Sequence, residues 1–212
     1  MTSQVLPPKP TPTISVSDTV NYTSSATFIA APAAAVWDAL IDTSTWPTWN
    51  VFCPRVTIHE QPGEEGSDGQ SLSPVLQNGT RLTFHVRMDP TSDKCTDVAL
   101  VIMEFEPPTK SDDGNNNNNE PTTSSSGRIV WGIDPMAKGA MPGFLLKAER
   151  VHTLSEVEVE GRRGTEVQNW EAQAGYLAYL VRWKYGDQLV IVFRKWVEGL
   201  KKYVEASSSS TY

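Results

Sequence analysis

The stretch YLAYLVRWKYGDQLVIVFRKWVEGLKKYVEA, residues 176–206, decides the fold. From Asp187 onward its large apolar residues recur every three or four positions; these are Leu189, Phe193, Trp196, Leu200 and Val204. That spacing places them on one face of a helix, with Asp187 as an N-cap after a break near Gly186. Because so apolar a face must pack against a large surface, and the rest of the chain supplies mainly strands, we predict one long helix lying in the curve of a sheet.

The segments upstream of this helix predict a strand, a helix, a short helix and about six further strands. The first strand is expected at 19–30, and the two helices at 31–42 and 44–52. The later strands are expected at 55–60, 80–88, 97–106, 128–133, 144–158 and 165–174. Successive strands joined by short loops favour an antiparallel sheet. The predicted class is α+β, with a curved antiparallel sheet of six to seven strands around the C-terminal helix.

Length and composition limit the possible functions. The chain has 212 residues, a net charge of −7 and a pI near 5.0, which argues against a nucleic-acid surface. It contains no run of about 20 apolar residues that could span a bilayer, and its N-terminus lacks a signal-peptide core. Cys53 and Cys95 are expected to be reduced thiols of a cytoplasmic protein. His59, His85 and His152 are too scattered to predict a metal site.

Three segments have the composition of disordered chain. Residues 1–17 form an expected N-terminal tail, and residues 207–212 a C-terminal one. Between them, 107–127 contains the low-complexity run SDDGNNNNNEPTTSSSG, which cannot bury a core. The expectation is a single domain over 18–206 that carries this insertion.

The segment APAAAVWDALIDTSTWPTWNVF, residues 31–52, resembles the opening pattern of the START-like (SRPBCC, helix-grip) superfamily, in its polyketide cyclase/dehydrase-like branch. The pattern places Pro32, Val36, Trp37, Trp46, Trp49 and Asn50. The segment 128–131 before a Gly/Pro loop, and 164–175 before the last helix, resemble the branch as well. The resemblance implies a helix-grip fold with a cavity between the sheet and the helix, and no cofactor.

By this resemblance, one face of the last two strands points into the cavity and carries Arg150, His152, Asn169 and Glu171. Glu171 or His152 would serve as the acid/base, since burial raises a carboxyl pKa and an imidazole titrates near neutrality. Arg150 or Asn169 would stabilise an oxyanion or bind a carbonyl. The alternative is structural: Glu171 and Arg150 form an ion pair, and His152 packs beside it.

Aromatic residues supply the candidate ligand contacts. The ligand-binding candidates are Trp131, Trp46, Trp49, Tyr176, Tyr179, Trp183 and Phe193. The loop 134–144 contains two Gly and two Met residues, a composition that suits either a lid or an exposed connector.

The functional expectation is that the chain encloses a small hydrophobic molecule, of aromatic or polyketide type, in secondary metabolism. Acid/base cyclisation or dehydration, a lyase- or isomerase-type reaction without a cofactor, is one hypothesis. A non-catalytic lipid or small-molecule carrier or sensor is the alternative, and a protein-interaction module is a third. The sequence leaves the oligomeric state open.

Overall fold

The computed structural model describes residues 7–64, 71–89, 94–109 and 125–209, and the predicted order of elements is confirmed. The elements are β1 (Asn21–Ile29), α1 (Ala33–Ile41), α2 (Trp46–Trp49), β2 (Arg55–Glu60), β3 (Arg81–Val86), β4 (Thr96–Glu106), β5 (Ser126–Ile133), β6 (Lys147–Val159), β7 (Arg162–Ala174) and α3 (Tyr176–Ser209). All seven strands pair antiparallel in the order β1-β7-β6-β5-β4-β3-β2. The fold is the predicted helix-grip arrangement, a curved sheet with one long helix.

The core lies between the sheet and the C-terminal half of α3. The apolar stripe predicted from the spacing is buried, from Leu189 through Phe193 and Trp196 to Val204. It packs with inward residues of the sheet, such as Ile129 and Leu154, and with α1 and α2 in one apolar cluster. Within the described residues, no helix is long and apolar enough to cross a bilayer.

The predicted break near Gly186 is wrong, because α3 runs through it without interruption. The helix begins ten residues earlier, directly after Gly175, whose φ of +95 favours glycine. Its first amides donate to loop carbonyls: Tyr176 to Phe144 at 3.2 Å and Leu177 to Leu145 at 2.8 Å. A glycine inside a helix lowers helix stability by only about 1 kcal/mol relative to alanine. That loss is too small to end α3, because loop carbonyls accept hydrogen bonds from its first amides and its C-terminal half is buried against the sheet.

Two glycines of α3 should respond in opposite directions to replacement by alanine. A Cβ on Gly199 would lie 2.3 Å from the carbonyl oxygen of Trp49. The steric clash would force α2 away from its present packing position against α3. A Cβ on Gly186 would meet nothing closer than 4.0 Å, a side-chain carbon of Arg182. In urea unfolding followed by circular dichroism, Gly199→Ala should lose roughly 1–3 kcal/mol, and Gly186→Ala should gain up to about 1 kcal/mol. A stable Gly199→Ala variant would contradict the close seating of α2.

The N-terminal segment differs from the predicted tail, because residues 7–17 pack on the outer face of the sheet. Ile14 is only 1% exposed, and the backbone amide of Thr13 donates to the buried carboxylate of Glu149 at 3.0 Å. The indole nitrogen of Trp170 donates to the carbonyl of Pro10 at 3.2 Å. Proline-rich chain resembles a flexible lead-in by composition, yet proline also reduces the entropy lost on ordering.

The other predicted disordered segments are shorter than expected where the structure describes them. β5 begins at Ser126, inside the expected insertion 107–127, and α3 continues to Ser209, inside the expected C-terminal tail. Residues 1–6, 110–124 and 210–212 lie outside the described residues.

Candidate functional site

Four polar side chains form a row on the inner face of β6 and β7, beneath α3. In the strand register Arg150 lies opposite Glu171, and His152 lies opposite Asn169. Side chains that face each other across antiparallel strands share one face of the sheet. Arg150, His152 and Asn169 are buried, and Glu171 is partly buried. We call these four residues the buried polar row.

The guanidinium of Arg150 lies in a cage of aromatic rings. Its central carbon is 4.0 Å from the ring centroid of Phe193, 5.2 Å from Phe52 and 5.3 Å from Trp196. Among the residues that the structure describes, its Nε and Nη2 find no hydrogen-bond partner. Burial lowers the pKa of Arg150 to about 10, against the opposing effects of Glu171 and Cys53. Arg150 therefore remains a cation at neutral pH, held by rings rather than by a paired carboxylate.

Glu171 does not form the ion pair with Arg150 that the structural alternative required, within the residues that the structure describes. One of its carboxylate oxygens instead accepts a hydrogen bond from the side-chain amide of Gln173 at 2.5 Å. Burial raises the pKa of Glu171, and this effect outweighs the opposing effects of Arg150 and Gln173. A carboxyl group with a raised pKa is the kind of group that transfers protons near neutral pH.

The imidazole of His152 lies between two indoles. Its ring centroid is 4.3 Å from that of Trp131 and 4.6 Å from that of Trp196. Both ring nitrogens are buried, and neither has a hydrogen-bond partner in the part of the chain that the structure describes. Burial, and next the positive charge of Arg150, hold the pKa of His152 well below its usual value. The ring is therefore neutral and offers one donor and one acceptor.

Asn169 is tied to α3 through a serine that sequence reasoning missed. The side-chain amide nitrogen of Asn169 donates to the hydroxyl oxygen of Ser25 at 3.1 Å. That hydroxyl donates to the backbone carbonyl of Phe193 at 3.1 Å. Ser25 lies on β1, directly opposite Asn169 in the register, so the alternation of β1 was the signal that could have found it.

The buried aromatic candidates pack against one another beside the row. Trp131 lies 5.5 Å from Phe84 and 6.3 Å from Trp46 between ring centroids. Trp46 also packs on Trp49 and donates from its indole nitrogen to the carbonyl of Leu40. Trp46 and Trp49 are therefore core residues of α2, whereas Trp131 reaches the polar row through His152.

Tyr176, Tyr179 and Trp183 do not line the buried site. They are 74%, 63% and 82% exposed, because Ala178 occupies the buried side of this part of α3. The interpretation of these three residues as cavity lining is corrected. Tyr176 adjoins the loop that carries Phe144, and the role of that loop as a lid stays a prediction.

Metal binding needs clustered ligands, and covalent catalysis needs a reactive nucleophile. In the described ranges no three His, Cys, Asp or Glu side chains lie close enough together to hold a metal ion. Cys53 is buried near Arg150, and burial raises the pKa of its thiol to about 12. Since the thiolate is the nucleophile, Cys53 is unsuited to covalent catalysis.

A comparison with curated proteins relates the whole chain to one relative. The oxopyrrolidines biosynthesis cluster protein O of Penicillium oxalicum is 40% identical over 201 residues, which cover 92% of each chain. The chain belongs to the family of protein O. Because the match to protein O extends over nearly the full length, it relates the domain as a unit. No protein-family model matches the chain.

Solved structures share the fold at low sequence identity. The hypothetical protein jhp0584 of Helicobacter pylori is 14% identical with a TM-score of 0.57, covering 88% of this chain and 89% of its own. The di-domain ARO/CYC StfQ of the steffimycin biosynthetic pathway is 11% identical with a TM-score of 0.52. That match covers 91% of this chain and 54% of StfQ. At such identities the likeness of this chain to both structures shows the fold alone.

Proposed function

We propose that the chain binds a small, largely hydrophobic carbonyl compound of secondary metabolism at the buried polar row and converts it by acid/base chemistry. The observation that carries this proposal is the set of unpaired polar atoms of Arg150, His152 and Asn169 against an aromatic wall. The family of protein O, which is named for a biosynthesis cluster, and the fold shared with the ARO/CYC StfQ support the same reading.

Unpaired buried polar groups are costly and rare. Each costs about 1–3 kcal/mol of desolvation without a compensating bond, and native proteins contain few of them. Here five such atoms belong to Arg150, His152 and Asn169, which are neighbours on two strands. A bound molecule with its own polar groups would recover this energy, while its apolar part would lie against Phe193 and Trp196.

The turn after α2 offers the way in. Phe52 forms one wall of the aromatic cage, and it lies between α2 and β2 on neither a helix nor a strand. The other walls, Phe193 and Trp196, are fixed on α3. Movement of Phe52 would therefore open the row with the least disturbance of regular structure.

The proposed chemistry begins with enolisation of the bound carbonyl compound. Glu171, as the carboxylate, takes the proton from the carbon next to the carbonyl group. The electron pair of that C–H bond forms a carbon–carbon double bond, and the carbonyl oxygen gains the negative charge beside Arg150. When a hydroxyl group on the next carbon receives the proton that Glu171 took up and leaves as water, the electron pair of the enolate forms a double bond to that carbon and the carbonyl group is restored. Neutral His152 lies next to Arg150 on the same face and can relay that proton.

The Glu171→Gln variant should lose turnover while it keeps affinity. The change removes the proton-transfer group and preserves its shape, so kcat should fall about 10²- to 10⁴-fold, with Kd within a few-fold of wild type. The substrate for this assay is the hydrophobic compound extracted from wild-type protein made in its native host and identified by mass spectrometry. Glu158→Gln, on the exposed part of β6, is the matched control.

The outcome separates the two functional classes. Equal loss of turnover and affinity would remove the acid/base role of Glu171. If the extracted compound binds to wild-type protein and leaves unchanged, the chain is a carrier or sensor.

A further inference from the structure

The unpaired atoms of the buried polar row differ in the hydrogen bonds they need. Nε and Nη2 of Arg150 can only donate, whereas Oδ1 of Asn169 can only accept. A molecule that satisfies both residues must therefore offer an acceptor and a donor together. This requirement rests on the proposed function, in which the row binds a ligand.

The acceptor of Asn169 has a fixed position. The backbone carbonyl of Phe193 can only accept, so the single hydroxyl hydrogen of Ser25 is donated to it. The oxygen of Ser25 is then left to accept, and the side chain of Asn169 must turn its NH₂ group toward Ser25. Its Oδ1 consequently points to the other side, where no described residue donates a hydrogen bond to it.

Arg150 and Asn169 are diagonal neighbours across β6 and β7. His152 is directly opposite Asn169, and Arg150 is two residues before His152 on the same face of β6. Such diagonal neighbours have Cα atoms about 7–8 Å apart, within reach of a long side chain. Both are also anchored at Phe193, Arg150 over its ring and Asn169 through Ser25.

We infer that the buried polar row recognises the edge of a lactam, with its carbonyl oxygen on Arg150 and its N–H on Oδ1 of Asn169. A cyclic amide presents C=O and N–H side by side on one edge, whereas an open-chain trans amide directs them to opposite sides. A simple ketone leaves Oδ1 of Asn169 without a hydrogen bond. A carboxylate places its second oxygen next to Oδ1, and two acceptors repel each other. A cyclic 1,3-dicarbonyl compound is a vinylogous acid that binds as an enolate anion at neutral pH, so it offers two acceptors and a charge to Arg150, and it is the competing ligand in the test.

Four small probes test this inference in calorimetric titrations of the full chain. They are 4-phenylpyrrolidin-2-one, its N-methyl derivative, 3-phenylcyclopentanone and 5-phenylcyclohexane-1,3-dione, which enolises. The first should bind at least about 10-fold more tightly than the second and third, since one lost hydrogen bond in a buried site leaves Asn169 unsatisfied. Asn169→Leu should reduce that preference to within about 2-fold.

Further variants keep the test decisive. Ser25→Ala frees the amide of Asn169 to turn, so it should lower the lactam preference even if Asn169→Leu fails to fold. Trp183→Phe, on the exposed side of α3, should leave all four affinities unchanged.

One outcome would overturn the lactam inference and leave the proposed function intact. In that outcome the lactam and the ketone bind wild-type protein with equal affinity, and Arg150→Met binds neither. Tightest binding of the dione would overturn it in favour of an enolate anion held by the charge of Arg150. Absence of binding by all four probes, or binding that Arg150→Met does not change, would overturn the proposed function and this inference with it.

Discussion

Arg150→Met should raise the free energy of unfolding by about 1–3 kcal/mol at neutral pH and abolish ligand binding. Burying a cation costs several kcal/mol even after relaxation. The rings around the guanidinium offset about 2 kcal/mol of this cost, and two of its nitrogens have no hydrogen-bond partner within the described ranges. Methionine has a similar length, suits an aromatic cage and removes those orphaned donors.

Thermal and urea unfolding of the ligand-free protein measure this change, and titration of the lactam probe measures the loss of binding. Arg128→Met is the matched control on the neighbouring strand, because Arg128 is partly exposed and ion-paired to Glu104 at 2.7 Å. Its stability should stay the same or fall by up to about 1 kcal/mol. If Arg150→Met destabilises the protein as strongly as a core truncation, the guanidinium is a structural element rather than a ligand-binding group.

His152→Phe should remove most of the acid sensitivity of the fold below pH 6.5. The folded-state pKa of His152 lies well below the ordinary histidine value of 6.5, so the unfolded chain binds a proton more readily. Stability contributed by the neutral ring is therefore present above pH 6.5 and is lost as the pH falls toward the folded pKa. The loss has a limiting slope of about 1.4 kcal/mol per pH unit. Phenylalanine keeps a ring between Trp131 and Trp196 but cannot titrate.

The charged groups near His152 require a difference measurement. The raised pKa of Glu171 has the opposite effect on stability: its contribution is present below the ordinary glutamate pKa of 4.5 and is lost as the pH rises through the folded-state pKa. Arg150 stays charged throughout this range. The free energy of unfolding should therefore be measured at several pH values for two proteins, the Glu171→Gln variant and the Glu171→Gln/His152→Phe double variant. Neither protein contains the Glu171 carboxyl group, so the difference between their pH profiles reports on His152. His59→Gln, at an exposed position on β2, is the control. Parallel pH profiles of the two proteins would contradict the low pKa of His152.

The sequence predicted those features that depend on local periodicity. The apolar stripe of α3 follows from 3.6-residue spacing, which burial on one side imposes. The alternation of β6 and β7 likewise grouped Arg150 with His152 and Asn169 with Glu171. Which of the two faces is covered came from the resemblance, because both faces of β7 carry apolar and polar residues.

Features that depend on long-range contacts were not accessible from the sequence. The composition of residues 7–17 predicts a flexible segment. Nothing in the local sequence indicates that this segment forms hydrogen bonds with Trp170 and Glu149 on the sheet. The aromatic end of α3 was assigned to a cavity, because residue type alone does not reveal that Ala178 takes the buried side. The partnership of Ser25 with Asn169 joins positions 144 residues apart.

The hydrogen bond from Ser25 to the helix carbonyl has a consequence for stereochemistry. Because that bond fixes which way the amide of Asn169 points, a planar ring held between Asn169 and Arg150 cannot turn over. Only one of its two faces would then meet Glu171, and proton addition or removal would take place from that face alone. A new stereocentre formed at the buried polar row would accordingly have one configuration. That configuration would depend on the hydroxyl hydrogen that Ser25 of β1 donates to α3.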